Sequence, residues 1–170
     1  MSSVPILHYT EPVVDAFINE SEVCRQSLFS RLLDIHPCKF WANKLSQYDP
    51  TAALVYALDP FEADFLQHGS PSAYPADRTL PVFPSRIFYG WTNSSVDELM
   101  GAAIRASTAA LEKAGIQDGQ DLTNAAAYVN YAISGTPLEK IYGGNLPRLR
   151  QIKAIYDPQD VMGLAGGWKF

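Results

Sequence analysis

Tyr128 and Asn130 stand two residues apart in the run Ala125 to Tyr131, whose β-branched and aromatic character predicts a strand. On a strand that spacing puts both side chains on one face, with Val129 and Tyr131 on the other. A phenol beside a carboxamide can exchange a proton with a bound molecule and orient its carbonyl group, which is acid–base chemistry. A core tyrosine with a satisfied hydroxyl is the alternative reading of the same residue. A second group, His68 with Tyr74, Asp77 and Arg78, lies in or beside a stretch interrupted by Pro71, Pro75, Pro81 and Pro84. There the histidine could serve as acid or base and the arginine could take a carboxylate, as in a lid; solvated loop residues are the plainer interpretation. Tyr56, Tyr89 and Trp91 project from two apolar runs, where aromatic side chains are either core or the wall of a pocket for a flat, apolar substrate. His8 and His36 lack the spaced partners of a metal site, and Cys24 and Cys38 form no CxxC pair. Glu62 and Asp64 are explained by the positive end of a short helix.

The elements that position these residues follow from periodicity. Strands are expected over Val4 to Tyr9, at an edge because of Pro5, over Ala52 to Leu58, and over Arg86 to Trp91 with Ile87, Tyr89 and Trp91 on one face. Thr10 is placed to cap a helix with Val13, Val14, Phe17 and Ile18 inward. Asn19 marks a turn, and helical spacing resumes from Ser21 to Asp34. A short helix is expected over Phe61 to His68, then a stiff loop to Pro84. Ser95 and Glu98 suggest a capping box for a helix that buries Val96, Met100, Ala103, Ile104, Ser107 and Leu111 and ends at Gly115. Gln117 to Thr123 reads as a polar connector and Thr136 to Gly144 as a loop. A last helix, capped by Asn145 with Pro147 in its first turn, carries the stripe Leu146, Leu149, Ile152 and Tyr156 up to Asp157-Pro158. Helices and strands are segregated, which predicts an α+β fold: an antiparallel sheet with helices on one face and a pocket or dimer interface on the other.

The chain has 170 residues, 47% hydrophobic and 18% charged, enough for one domain over residues 1–170 with a sizeable core. A net charge of −5 argues against nucleic acid or an anionic membrane as partner. Two cysteines without a framework fit reduced, cytoplasmic thiols. No leader pattern follows Met1, and no run approaches the roughly 18 apolar residues of a membrane span.

The C-terminal order Tyr-x-Asn-Tyr at 128–131, Tyr-Gly-x-Asn-Leu-x-Arg-Leu at 142–149, Ile-Lys-x-x-Tyr-Asp-Pro-x-x-Val-Met at 152–162 and Gly-Gly-Trp-Lys-Phe at 166–170 resembles the tail of berberine bridge enzyme-like, FAD-linked oxidoreductases, fungal ones in particular. Asp59-Pro60-Phe61, Ser72-Ala73-Tyr74-Pro75 and Phe88-Tyr89-Gly90-Trp91 resemble the substrate-domain region of that family. The resemblance implies an antiparallel sheet whose open face looks across at a flavin. It also implies a tyrosine that assists substrate deprotonation, for which Tyr128 and Tyr131 are the candidates. The acid that the family often carries two residues after the second tyrosine is replaced by Ile133. Because the sequence contains no GxGxxG or other phosphate-cradling glycine turn, the expectation is a cofactor-free isomerase or cyclase acting on an apolar secondary-metabolite intermediate, as a homodimer. A fragment or split subunit of an FAD-linked oxidoreductase, or a non-catalytic binding remnant, is the alternative.

Overall fold

The computed structural model describes residues 1–22, 45, 47–59, 61–62, 68–74 and 83–170. These residues build an α+β architecture around a three-stranded antiparallel sheet of order β1-β3-β2, formed by β1 (Ser2–Ile6), β2 (Ala53–Ala57) and β3 (Phe83–Gly90). β1 lies at an edge, and its Pro5 faces Pro84 of β3 in the register that pairs Ser3 with Arg86 and Ser2 with Ile87. An edge position suits a residue with no N–H to donate. β2 pairs Leu54 with Tyr89 and Val55 with Phe88. β3 is longer than expected, because the predicted loop gives up Phe83 and Pro84 to the pairing with β1.

Alternation along β3 sorts its two faces. Ser85, Ile87 and Tyr89 point inward and are buried, whereas Phe88 is 40% exposed. The inward face is covered by α1 (Glu11–Glu22) and α2 (Asp97–Gln117), whose Val13, Phe17, Met100, Ala103, Ile104 and Leu111 close the core over Val4, Ile6 and Ile87. The expected stripe of α2 is buried in full, with Val96 just ahead of it. α1 runs straight through Asn19, and Ile18 lies outside at 42% exposure, so its buried stripe is narrower than expected. Thr10 does not cap it; its hydroxyl donates to Asp118 at 2.6 Å. The continuation over 23–44, most of the helix expected over Phe61 to His68, and the loop residues 75–82 lie outside the described residues.

The helix ends differ from the sequence reading. In front of α2, Asn93 and not Ser95 is the cap: its Oδ1 accepts from the Ser95 N–H (3.1 Å) and from the Ser95 hydroxyl (2.7 Å). α2 continues past Gly115, whose added Cβ would stand 3.1 Å from Leu122. It stops at Gly119 (φ +88°), where the Gln120 N–H returns to the Gly115 carbonyl at 3.0 Å. Gln120 then turns into the core at 8% exposure instead of lying in a solvated connector. Its Oε1 accepts from the N–H groups of Leu7 (2.9 Å) and His8 (3.2 Å), and its Nε2 donates to the His8 carbonyl at 2.8 Å. One side chain thereby extends the pairing of β1 beyond its last residue.

The strand expected over Ala125 to Tyr131 does not form. Competing partners take the backbone: the Ala127 N–H donates to the Lys140 carbonyl (2.9 Å), the Tyr128 N–H to Ser3 Oγ (2.9 Å), and the Tyr131 and Ala132 N–H groups close a turn onto the Tyr128 carbonyl. The predicted loop over Thr136 to Gly144 holds a short helix, α3 (Leu138–Tyr142), seated by buried Ile141. α4 (Leu146–Tyr156) follows a single 3-10 turn, with Pro147 in its first turn as expected. Asn145 does not cap α4; its amide donates to the carbonyls of Ser72 (3.1 Å) and Ala73 (3.2 Å) and ties two distant loops. Only the start of the α4 stripe is covered, since Leu146 is buried while Ile152 and Tyr156 are exposed. Beyond it, Lys153 holds Asp157 and Asp160, and Lys169 donates to Asp160 (3.3 Å) and to the Gly163 carbonyl (2.8 Å).

Candidate functional site

The five candidate tyrosines separate into two clusters on opposite faces of the sheet. Under α2, the hydroxyls of Tyr56 and Tyr89 meet at 2.5 Å, and Ser107 Oγ lies 3.1 Å from each. Burial and the neighbouring Tyr89 push the Tyr56 phenol well above the usual tyrosine range. These two residues therefore stand in the helix-covered core and are not brought together with Tyr128. Trp91 is half-buried at the end of β3, where its Nε1 donates to Asp97 at 2.6 Å.

The second cluster lies on the outward face. Ser3 and Arg86 are register partners with side chains on that face, and the Tyr128–Tyr131 turn is anchored there through Ser3. The Tyr128 and Tyr131 rings meet edge to face, 5.0 Å apart at 88°, and Tyr74 packs edge-on to Tyr128 at 5.8 Å. Arg86 Nη1 donates to the Tyr131 hydroxyl at 2.8 Å, its guanidinium carbon stands 5.1 Å from the ring centre, and Asp59 pairs with it at 3.5 Å. Asn130 Nδ2 donates to the Tyr128 hydroxyl at 2.8 Å. The pair expected to share a strand face is thus adjacent, but through a turn that also brings Tyr131 to the same place.

Hydrogen-bond direction distinguishes these phenols. Tyr74 spends its proton on the Ala126 carbonyl at 3.2 Å, and burial together with Tyr128 raises it to about 12. Tyr128 and Tyr131 accept from Asn130 and Arg86, so neither hydroxyl spends its own proton in these bonds. Both are half-buried, and Val55 (46% exposed) and Phe88 (40% exposed) continue the same sheet face as an apolar strip.

His68 is exposed and has no place in the tyrosine cluster, and Arg78 lies outside the described residues. Arg86 was not a candidate from the sequence, and Asp59 entered only through the Asp59-Pro60-Phe61 run. The available signal was an arginine alternating with Ile87 and Tyr89 in a largely apolar strand, which needs a partner when half-buried. Ile133, where the resembled family carries an acid, packs against the core cluster. Among the described residues there is no group of three or more His, Cys, Asp or Glu that could hold a metal ion, and no helix long and apolar enough to cross a membrane.

Residues 127–165 match the family model for berberine and berberine-like proteins. The match begins at the turn that carries Tyr128, Asn130 and Tyr131 and runs through α3 and α4 past the Lys153–Asp157–Asp160 tie, so the likeness is confined to this C-terminal segment. No curated protein and no solved structure gives a significant match.

Proposed function

We propose that this chain forms the substrate side of a berberine-type scaffold and moves a proton on a small apolar molecule, isomerising or cyclising it without redox change. The observation that carries the reading is the pair of phenols whose hydroxyls accept from Asn130 and Arg86 and whose protons remain available at the edge of the Val55–Phe88 strip. In an isomerisation, Tyr131 gives its proton to the substrate carbonyl oxygen while the phenolate takes one from the α-carbon, which forms a dienol. Tyr131 then protonates the γ-carbon and recovers the enol O–H proton, so that the double bond moves into conjugation and the tyrosine is restored. Arg86 supports the transient negative charge, and Tyr128 orients the carbonyl. For a cyclisation the same surface contributes by holding the reacting ends together. A second copy of the chain over the strip completes the enclosure and keeps the apolar face from water.

A second reading, favoured by the family of the matched segment, is flavin-linked oxidation with this chain as the substrate-side part. A bound flavin would supply a hydride acceptor. The strip could face its ring, but the residues do not fit its pyrophosphate: β3 passes into α2 through Trp91 to Val96, which contains no glycine, and no glycine-rich strand-to-helix turn occurs among the described residues.

The test uses purified chain and 3-cyclohexen-1-one, with the double-bond shift followed by the conjugated enone absorption. The expected result is turnover that falls about 100-fold to 10,000-fold in Tyr131→Phe. Unchanged turnover in that variant removes Tyr131 from the mechanism. A flavin absorption band in the pure protein, with activity that tracks it, transfers the site to the second reading.

A further inference from the structure

A cavity of about 230 Å³ opens between the start of β1, the middle of α2 and the segment 127–140, and none of the tyrosines lines it. Ser3, Arg105, Thr108, Glu112, Ile133 and Lys140 line it. Ser3 is only 6% exposed, and its Oγ accepts the Tyr128 N–H. No acceptor for its own proton stands among the described residues, so a buried O–H donor faces the cavity. Arg105 uses one N–H on the Ser134 carbonyl (3.1 Å) and retains the rest of its planar fork. Lys140 and Glu112 cancel each other as an ion pair at 2.6 Å, which leaves Arg105 as the uncompensated charge of the lining. Thr108 is internally engaged, by Ser2 Oγ at 2.7 Å and the Ile104 carbonyl at 2.8 Å. The other walls are alanine, proline, glycine and isoleucine carbon together with Ser2 and Thr136, whose hydroxyl is spent on the Ile133 carbonyl at 2.7 Å.

An uncompensated guanidinium, a buried hydroxyl donor and apolar walls fit a ligand with an anionic head and a hydrocarbon body. We propose that this cavity binds a small organic carboxylate, with its carboxylate on Arg105 and Ser3 and its apolar part against Ile133. The site stands independently of the reaction assigned to the tyrosines. It is nevertheless coupled to them, because Ser3 holds the Tyr128 backbone and an occupant would steady the turn that carries Tyr128 and Tyr131.

The test is a titration of the full chain with benzoate, and with benzamide as its neutral analogue, followed by amide NMR shifts. Benzoate is expected to move Ser3, Ala127 and Ile133 and to bind at least about tenfold more tightly than benzamide. Arg105→Gln, on the exposed side of α2, is expected to remove that preference, and Arg105→Lys to retain part of it, since the charge stays while the fork is lost. Equal binding of benzoate and benzamide, shifts centred away from these residues, or unchanged benzoate affinity in Arg105→Gln would each overturn the proposal.

Discussion

Gln120→Ala probes the contact that joins the loop after α2 to the segment that follows β1. The wild-type side chain makes three hydrogen bonds to the backbone at Leu7 and His8 across more than 110 residues of sequence. Of the groups it serves, the Leu7 N–H is buried and has no route to water after truncation, whereas His8 is exposed and can be resolvated. One stranded buried donor costs about 1–3 kcal/mol, and the resolvated groups add little, so the expected loss is about 2 kcal/mol. For a chain of this size that corresponds to a fall in Tm of roughly 4–8 °C. With a urea m-value of about 2 kcal/mol/M it is a midpoint shift of about 1 M. The assay is urea unfolding followed by circular dichroism, with m compared between variants. Gln120→Glu keeps the acceptor but removes the donor to His8 and sets a carboxylate beside Asp118, which lies 3.3 Å from Nε2 in the wild type; it should be destabilised at neutral pH and partly recover as the pH falls. A midpoint shift below about 0.2 M for the alanine variant would refute the reasoning, because the buried Leu7 donor would then have found another partner.

Asp49 gives a pH signature. Its carboxylate accepts from the Thr51 hydroxyl (2.5 Å) and from the backbone N–H groups of Thr92 (2.8 Å), Asn93 (3.0 Å) and Thr51 (2.8 Å), and these bonds hold it far below the usual carboxylate range. A depressed carboxylate contributes stability that is complete above its unfolded value of about 3.9 and is lost as pH falls toward its folded value. Asp49→Asn should therefore flatten the acid limb of stability against pH below about pH 4, as read by thermal melts from pH 2 to 7; an acid limb as steep as that of the wild type would contradict this assignment. Tyr89→Phe should cost about 1 kcal/mol in the same melts while leaving enone turnover unchanged, since its hydroxyl sits under α2 and away from Tyr131; a selective loss of turnover would move it into the site. Phe88→Lys on the open strip should shift sedimentation from dimer to monomer at micromolar protein, whereas a wild-type monomer under those conditions ends the self-association reading.

Much of the fold was legible because burial imposes a period. Val96, Met100, Ala103, Ile104, Ser107 and Leu111 announce the inward face of α2, and Ile87 and Tyr89 against Phe88 announce the two faces of β3. What escaped the sequence reading was decided by partners remote in the chain. Ser95 looks like a cap, but Asn93 takes that role while Asp49, more than forty residues away, binds its N–H. Ala125 to Tyr131 looks like a strand, yet Ser3 and Lys140 supply its hydrogen bonds and fold it into a turn. The site was half legible for the same reason: residue type selected Tyr128, Tyr131 and Asn130, while the Arg86 donor that distinguishes Tyr131 becomes visible only through the register of β3. Tyr56 and Tyr89 were chosen on the same evidence of type, and only the side of the sheet on which they emerge separates them from Tyr131.

The hydroxyls of Tyr56, Tyr89 and Ser107 close on one another in a three-membered ring in which any member can give or take the proton. Such a ring has no fixed polarity. Its protons can circulate in either sense with every heavy atom at rest, so the core is served by two equivalent arrangements, and neither imposes a permanent dipole on the apolar side chains around it. A buried polar cluster of this kind satisfies its three hydroxyls by rotation alone, without repacking α2.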